Sequence, residues 1–202
     1  MPTFIGRQID FGLGKESVRG TAIAPTYWIP AISKGVEDMA QYLPDEQAIG
    51  KIEGDIGSLI TKRWAEGEIE GLVRDKSFGI ILLALFGSVS SAVKETTAYN
   101  HSFSVSQSVQ HPSLTIYIQH PAGSYKYALG MVNSLEITAE VGNFVKYTVG
   151  FISKESATSA ESASYSTENE FTGCMATVYF ADDLSGLDLA TAIDVKTASL
   201  AF

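Results

Sequence analysis

The chain has 202 residues, enough for one filled core, and its 45% hydrophobic and 18% charged content with 18 glycines suits a β-rich domain with many turns. A formal net charge of −9 argues against a protein that holds nucleic acid by neutralising phosphates. Cys174 is the single cysteine, so a disulfide framework is excluded, and no run approaches the ~18 apolar residues of a membrane-spanning helix. A compact monomer of this mass exposes roughly 9,000 Å².

The amino end, MPTFIGRQIDFGLG, has no basic start followed by an apolar run, so synthesis in a cytoplasm without an export signal is expected. Residues 1–25 are rich in Gly and turn formers and read as an irregular arm. Within it, FGLGKES (Phe11–Ser17) carries a Gly-Lys pair. A phosphate-binding loop would need Gly where Ile9 stands and a hydroxyl where Glu16 stands, so the stretch reads as a turn. Tyr27, Trp28, Ile29 and Ile32, interrupted by Pro30, suit a strand at a sheet edge.

Residues 33–57 are polar and lack a sustained period. They read as a long loop that is either functional or conceals short strands. From Ser58 the pattern alternates: Ile60, Lys62, Trp64, Glu66, Glu68 and Glu70 fall on one face of an extended chain, with Leu59, Ala65, Ile69 and Val73 opposite. Phe78–Phe86 (FGIILLALF), between a capping Asp75 or Ser77 and Gly87, then predicts a helix over about 75–87 that is apolar all round and must be covered on several sides.

Strands are expected at His101–Val109, Ser113–His120, Tyr125–Met131, Ser134–Val141 and Phe144–Ser153, with a two-residue hairpin turn at Gly142-Asn143. Residues 153–172 are rich in Ser, Ala and Glu and read as a flexible surface loop. Thr177–Phe180 gives another short strand, and Ile193–Phe202 stays extended without a closing turn. That last strand is expected to continue beyond Phe202 or to be completed by a neighbour. The whole of 26–202 reads as one β-sandwich or barrel domain.

Catalytic chemistry has little support. His101, His111 and His120 share no metal-ligand spacing, no Gly-x-Ser-x-Gly elbow occurs, and neighbouring carboxylates on one strand face point in parallel rather than across a substrate. No cofactor or metal is expected. A β-sandwich that binds carbohydrate through Tyr27, Trp28 and Trp64 is the alternative from another class.

GKESVRGTAIAPTYWIP (Gly14–Pro30) and WAEGEIEGLVRDKSFGIILLALFG (Trp64–Gly87) resemble the major tail tube proteins of long-tailed bacteriophages, and the likeness continues more loosely through the strands from His101 to Phe151. Members of that family are often longer. The resemblance implies a structural virion protein, not an enzyme: a β-sandwich with one flanking buried helix, six copies to a ring, and rings stacked into the conduit for DNA ejection. It implies itself, other tail proteins and passing duplex DNA as partners, with no membrane insertion. In that setting Glu66, Glu68 and Glu70 are expected to face the bore, where an acidic wall does not hold DNA. Phe78, Ile81, Leu82, Leu85 and Phe86 are the residues through which the helix is expected to pack between subunits. Residues 33–57 and the amino-terminal arm are expected to join stacked rings.

Overall fold

Leu114–His120 (LTIYIQH) is almost wholly branched or aromatic, and Leu114 through Gln119 are all buried, the mark of a strand covered on both faces. In the computed structural model, which describes residues 8–45, 57–96, 98–107, 109–181, 186 and 190–202, it lies within a nine-stranded antiparallel sheet. The elements run β1 (Asp10–Lys15), β2 (Tyr27–Ile29), β3 (Ala31–Asp45), β4 (Gly57–Leu72), α1 (Phe78–Phe86), β5 (Gly87–Val93), β6 (Tyr99–Val105), β7 (Leu114–His120), β8 (Gly123–Glu140), β9 (Lys146–Ser153), β10 (Ala157–Thr158), β11 (Val178–Tyr179), β12 (Ala192–Ile193) and β13 (Thr197–Ala201). The strand order is β2-β1-β7-β8-β9-β4-β3, with β10 and β13 also on β8. The hairpins β5–β6 and β11–β12 stand apart.

β8 is shared by both halves of the sheet. Its first half pairs with β7, its second half with β9 and β13, and the ladder shifts register at Leu114/Ile116 and again at Val132/Ser134. Between them Leu129 has φ 58°, and a side chain at Gly130 would meet the Leu114 carbonyl at 2.8 Å. Bulges and a left-handed residue bend a strand and increase its local twist. A single core results, with Phe11, Leu13, Ile29, Ile116 and Ile118 from one half packed with Ala65, Ile69, Leu135, Val149 and Phe151 from the other. The hydroxyl of Tyr127 donates to the Val36 carbonyl at 3.2 Å, tying β8 across to β3.

The mainly β fold with one buried helix is as expected, and so are the edge position of β2 and the helix at Phe78–Phe86. The hairpin forms at the expected place, but its connection is longer than the two residues expected: β8 ends at Glu140, β9 starts at Lys146, and the register centres on Gly142. Gly142 takes φ 87° there, with Leu135 opposite Val149 and Ile137 opposite Tyr147. Four other expectations need correction. FGLGKES is not a turn in an irregular arm. Phe11–Lys15 lies in β1, between β2 and β7, with Phe11 and Leu13 fully buried. Its glycines serve close approach: a Cβ at Gly12 would meet the Trp28 ring at 3.0 Å, and one at Gly14 the Ala24 carbonyl at 2.6 Å.

Residues 33–57 are not a loop through 45: β3 pairs with β4 from Ala31 to Asp45, and residues 46–56 lie outside the described residues. The strands expected at 125–131 and 134–141 are one strand, since the Val132/Ser134 bulge bends β8 without breaking its pairing to β9. Residues 154–172 form a tied strap rather than a free loop. Polar side chains hold it: Ser156 Oγ donates to Asp38, Tyr165 Oη to Asp10, Gln119 to the Glu161 carbonyl, Lys76 to the Thr167 carbonyl and Ser77 to Glu168, while Arg74 pairs with Glu170 at 2.9 Å. The last strand, β13, pairs with β8 of its own chain.

Candidate assembly surfaces

β4 alternates as its sequence requires: Ala65, Ile69 and Gly71 turn into the core, and Glu66 and Glu68 are exposed on the opposite face. Directly opposed residues in an antiparallel sheet share a face, so the register extends this face sideways. Glu66 lies between Glu37 on β3 and Ile152 on β9. Glu68 lies between Gly35 and Gly150, and Glu70 between Ser33 and Thr148, the last of which opposes Glu136 on β8. Glu37, Glu66, Glu68, Glu70 and Glu136 therefore stand on one uncovered surface. Facing them, Lys146 pairs with Glu70 at 3.4 Å, and Lys62 sits 4.9 Å over the Trp64 ring, whose Nε1 donates to Glu66 at 3.1 Å. Acids outnumber bases there, and Glu37 directly opposite Glu66 is a like-charge pair that costs stability. Of the expected bore residues, Glu66 and Glu68 are exposed, Glu66 accepting from Trp64, and Glu70 is half-buried against a lysine of its own chain.

The flanks of this face are open. β9 pairs with β4 only over Ala65–Leu72, so Gly57–Trp64 and the β3 residues beside them form a two-stranded arm with solvent on both faces. It carries Tyr42, Leu43, Leu59 and Ile60, with Leu43 opposite Leu59 at 59% and 68% exposure. Isolated hairpins of this kind have little stability of their own. The β5–β6 hairpin is similar, with Val89 opposite Phe103 and Val93 opposite Tyr99 on one face and Ser88/Ser104 and Ser90/Ser102 on the other.

The helix is mostly consumed internally. Phe78 and Ile81 are buried in the chain's own core, Phe78 against Tyr147 at 5.2 Å, while Leu82 and Leu85 pack onto that core with part of their surface left over. Phe86 meets Phe202 edge-on at 5.3 Å. Of the five helix residues expected to pack between subunits, Leu82, Leu85 and Phe86 thus retain accessible surface, and Phe78 and Ile81 retain almost none.

Beneath β8, Glu16 is buried and accepts four hydrogen bonds, from Gly20 N (2.6 Å), Ser113 Oγ (2.5 Å), Thr115 Oγ1 (3.0 Å) and Leu129 N (2.8 Å). Sequence periodicity gives no signal for this, because the partners come from three separate segments. Burial pushes the Tyr147 phenol far above its ordinary value, and its hydroxyl has no hydrogen-bond partner among the described residues. Asp75 is held below its ordinary value by hydrogen bonds from Asn169.

The other candidate sites do not assemble. His101 bonds Ser91, His111 bonds the Ser106 carbonyl, and no group of three His, Cys, Asp or Glu that could hold a metal occurs among the described residues. Trp28 is buried against Tyr117, so Tyr27, Trp28 and Trp64 make no shared exposed platform for a sugar. No described helix is long and apolar enough to cross a membrane.

Against known families, the model described as phage tail tube protein matches residues 6–201, nearly the whole chain. Among curated proteins, none matches.

Proposed function

We propose, from the premise that this chain belongs to the phage tail tube protein family, that six copies close into a ring, that rings stack, and that the acidic sheet face lines the resulting bore. The family is structural and non-enzymatic. Its members assemble with one another and with other tail proteins in the virion tail. Six is the copy number that the resemblance implies, and the bore is then the conduit for DNA ejection.

The observation that carries this reading is the uncovered face bearing Glu37, Glu66, Glu68, Glu70 and Glu136 on a sheet with open flanks. Duplex DNA carries one negative charge per roughly 1.7 Å of axis, so a basic wall would hold it at every step. An acidic wall leaves only repulsion, and the polyanion slides. Exposed strand edges are a liability in a monomer, and joining them edge to edge around a cylinder removes them. Contacts between stacked rings fall to the projecting β3–β4 arm, whose apolar side chains have no cover in the chain itself. Phe11–Gly14 of β1 are buried, which favours the arm over β1 for that role.

Electron microscopy of the purified protein tests the reading. Rings or tubes with a central hole are expected, and protein that stays monomeric at every concentration overturns it.

A further inference from the structure

The sheet bearing the acidic face runs β13, β8, β9, β4, β3, and every pairing along it is antiparallel. Direction therefore alternates, and β13 and β3, its two outermost strands, run the same way. Copies related by rotation about a tube axis keep the sense of their strands along that axis. If β3 of a second copy joined the free edge of β13, the two would lie parallel, the weaker pairing, in a molecule whose described strand pairs are all antiparallel. If β3 took the place of β13 against β8, the junction would be antiparallel, with the polarity that β13 itself has now.

β13 is suited to leave. It runs only from Thr197 to Ala201 and is exposed at every residue but one. Apart from its ladder to Glu136–Glu140 it is held by backbone bonds at its ends, Leu135 with Phe202 and Val141 N to the Lys196 carbonyl, by Ser199 Oγ donating to Glu136 at 2.8 Å and by the Phe202 ring against Phe86. β3 is suited to arrive. Near its start the Val36 carbonyl is taken by Tyr127, but from Glu37 to Pro44 it has β4 on one side and, among the described residues, no strand on the other.

We propose that β13 is a self-supplied strand occupying the docking edge of β8, and that it is displaced when β3 of a second copy pairs there. This rests on the ring reading above and adds to it a specific edge, a partner strand and a guard. A capped edge keeps newly made subunits from adding strands to one another at random.

The test locks β13 in place. Leu135 and Phe202 exchange both backbone hydrogen bonds, at 3.2 and 2.9 Å, so pairs at odd steps from them are the narrow ones. Narrow pairs have Cα atoms about 4.5 Å apart, within disulfide range. In a Cys174→Ser background, Thr138→Cys with Ser199→Cys joins one such pair, and Glu140→Cys with Thr197→Cys joins another should the first disturb folding. Oxidised protein is expected to stay as soluble subunits and to form tubes once reductant is added. Oxidised protein that forms tubes as readily as reduced protein overturns the displacement and leaves the ring reading standing. Parent tubes in which no strand of one copy pairs with another overturn both.

Discussion

The carboxylate of Glu16 accepts a hydrogen bond from the backbone N–H of Leu129 at 2.8 Å, and Leu129, at φ 58°, is the described non-glycine residue held in the left-handed region. The bend in β8 is therefore pinned by a side chain from β1's far end. Leucine pays about 1–2 kcal/mol for that conformation, and the carboxylate offsets it while also satisfying Ser113, Thr115 and Gly20. Glu16→Ala leaves these donors unpaired in a buried site. A loss of about 3 kcal/mol is expected, read as a lower urea midpoint with unchanged slope.

The Tyr147 ring fills the space over Gly71, where a Cβ would lie 2.6 Å from its hydroxyl and 2.7 Å from Cζ. Gly71→Ala is expected to cost about 1–3 kcal/mol by overpacking. Tyr147→Phe removes a hydroxyl that has no partner among the described residues, so it is expected to be neutral or to stabilise by up to about 1 kcal/mol. Thermal unfolding of the two variants distinguishes these opposite signs.

The strap is anchored at the helix entrance by Asp75, which accepts from both the backbone and the side chain of Asn169. Asp75 is depressed below the ordinary 3.8, so its contribution is complete above that value and is lost as pH falls through the lower folded value. Protection of the Asn169 amide against hydrogen exchange, taken relative to the intrinsic rate at each pH, is expected to hold down to pH 3.8 and to fall below it. Asp75→Ala should lack that protection at neutral pH.

Leu43 and Leu59 oppose each other on an arm that nothing in the chain covers. Leu43→Asn with Leu59→Asn is expected to shift monomer stability by only about 0.5 kcal/mol per site, since both side chains are exposed. The same variant should fail to lengthen into tubes. Sedimentation of assembled material against a urea melt of the subunit separates the two effects.

Much of this architecture was legible. The helix could be read because an apolar run sits between Ser77 and Gly87, and the β8–β9 hairpin because Gly142-Asn143 separates two alternating runs. β3 could not be read as a strand, because beyond its core contact at Val36 both of its faces are uncovered, so nothing imposes alternation. β1 was hidden by glycines that serve close packing against Trp28 and Ala24 rather than a turn. The strap was hidden because its order comes from side-chain hydrogen bonds, which leave no apolar pattern. Alternation placed Glu66, Glu68 and Glu70 on one face, but the additions of Glu37 and Glu136 needed the register.

Reversing the acidic face should change transit. Virions carrying Glu66→Lys with Glu68→Lys are expected to eject DNA more slowly than the parent. The difference should shrink as salt shortens the screening length to about 10 Å at 0.1 M and below that at higher concentration.

The most direct measurement is a cryo-electron microscopy map of the assembled tube at side-chain resolution. The carboxylates of Glu66 and Glu68, with Glu70 beside Lys146 of its own chain, are expected on the wall of the bore. Finding them on the outer surface, or buried against arginine or lysine of a neighbouring copy, would contradict the account.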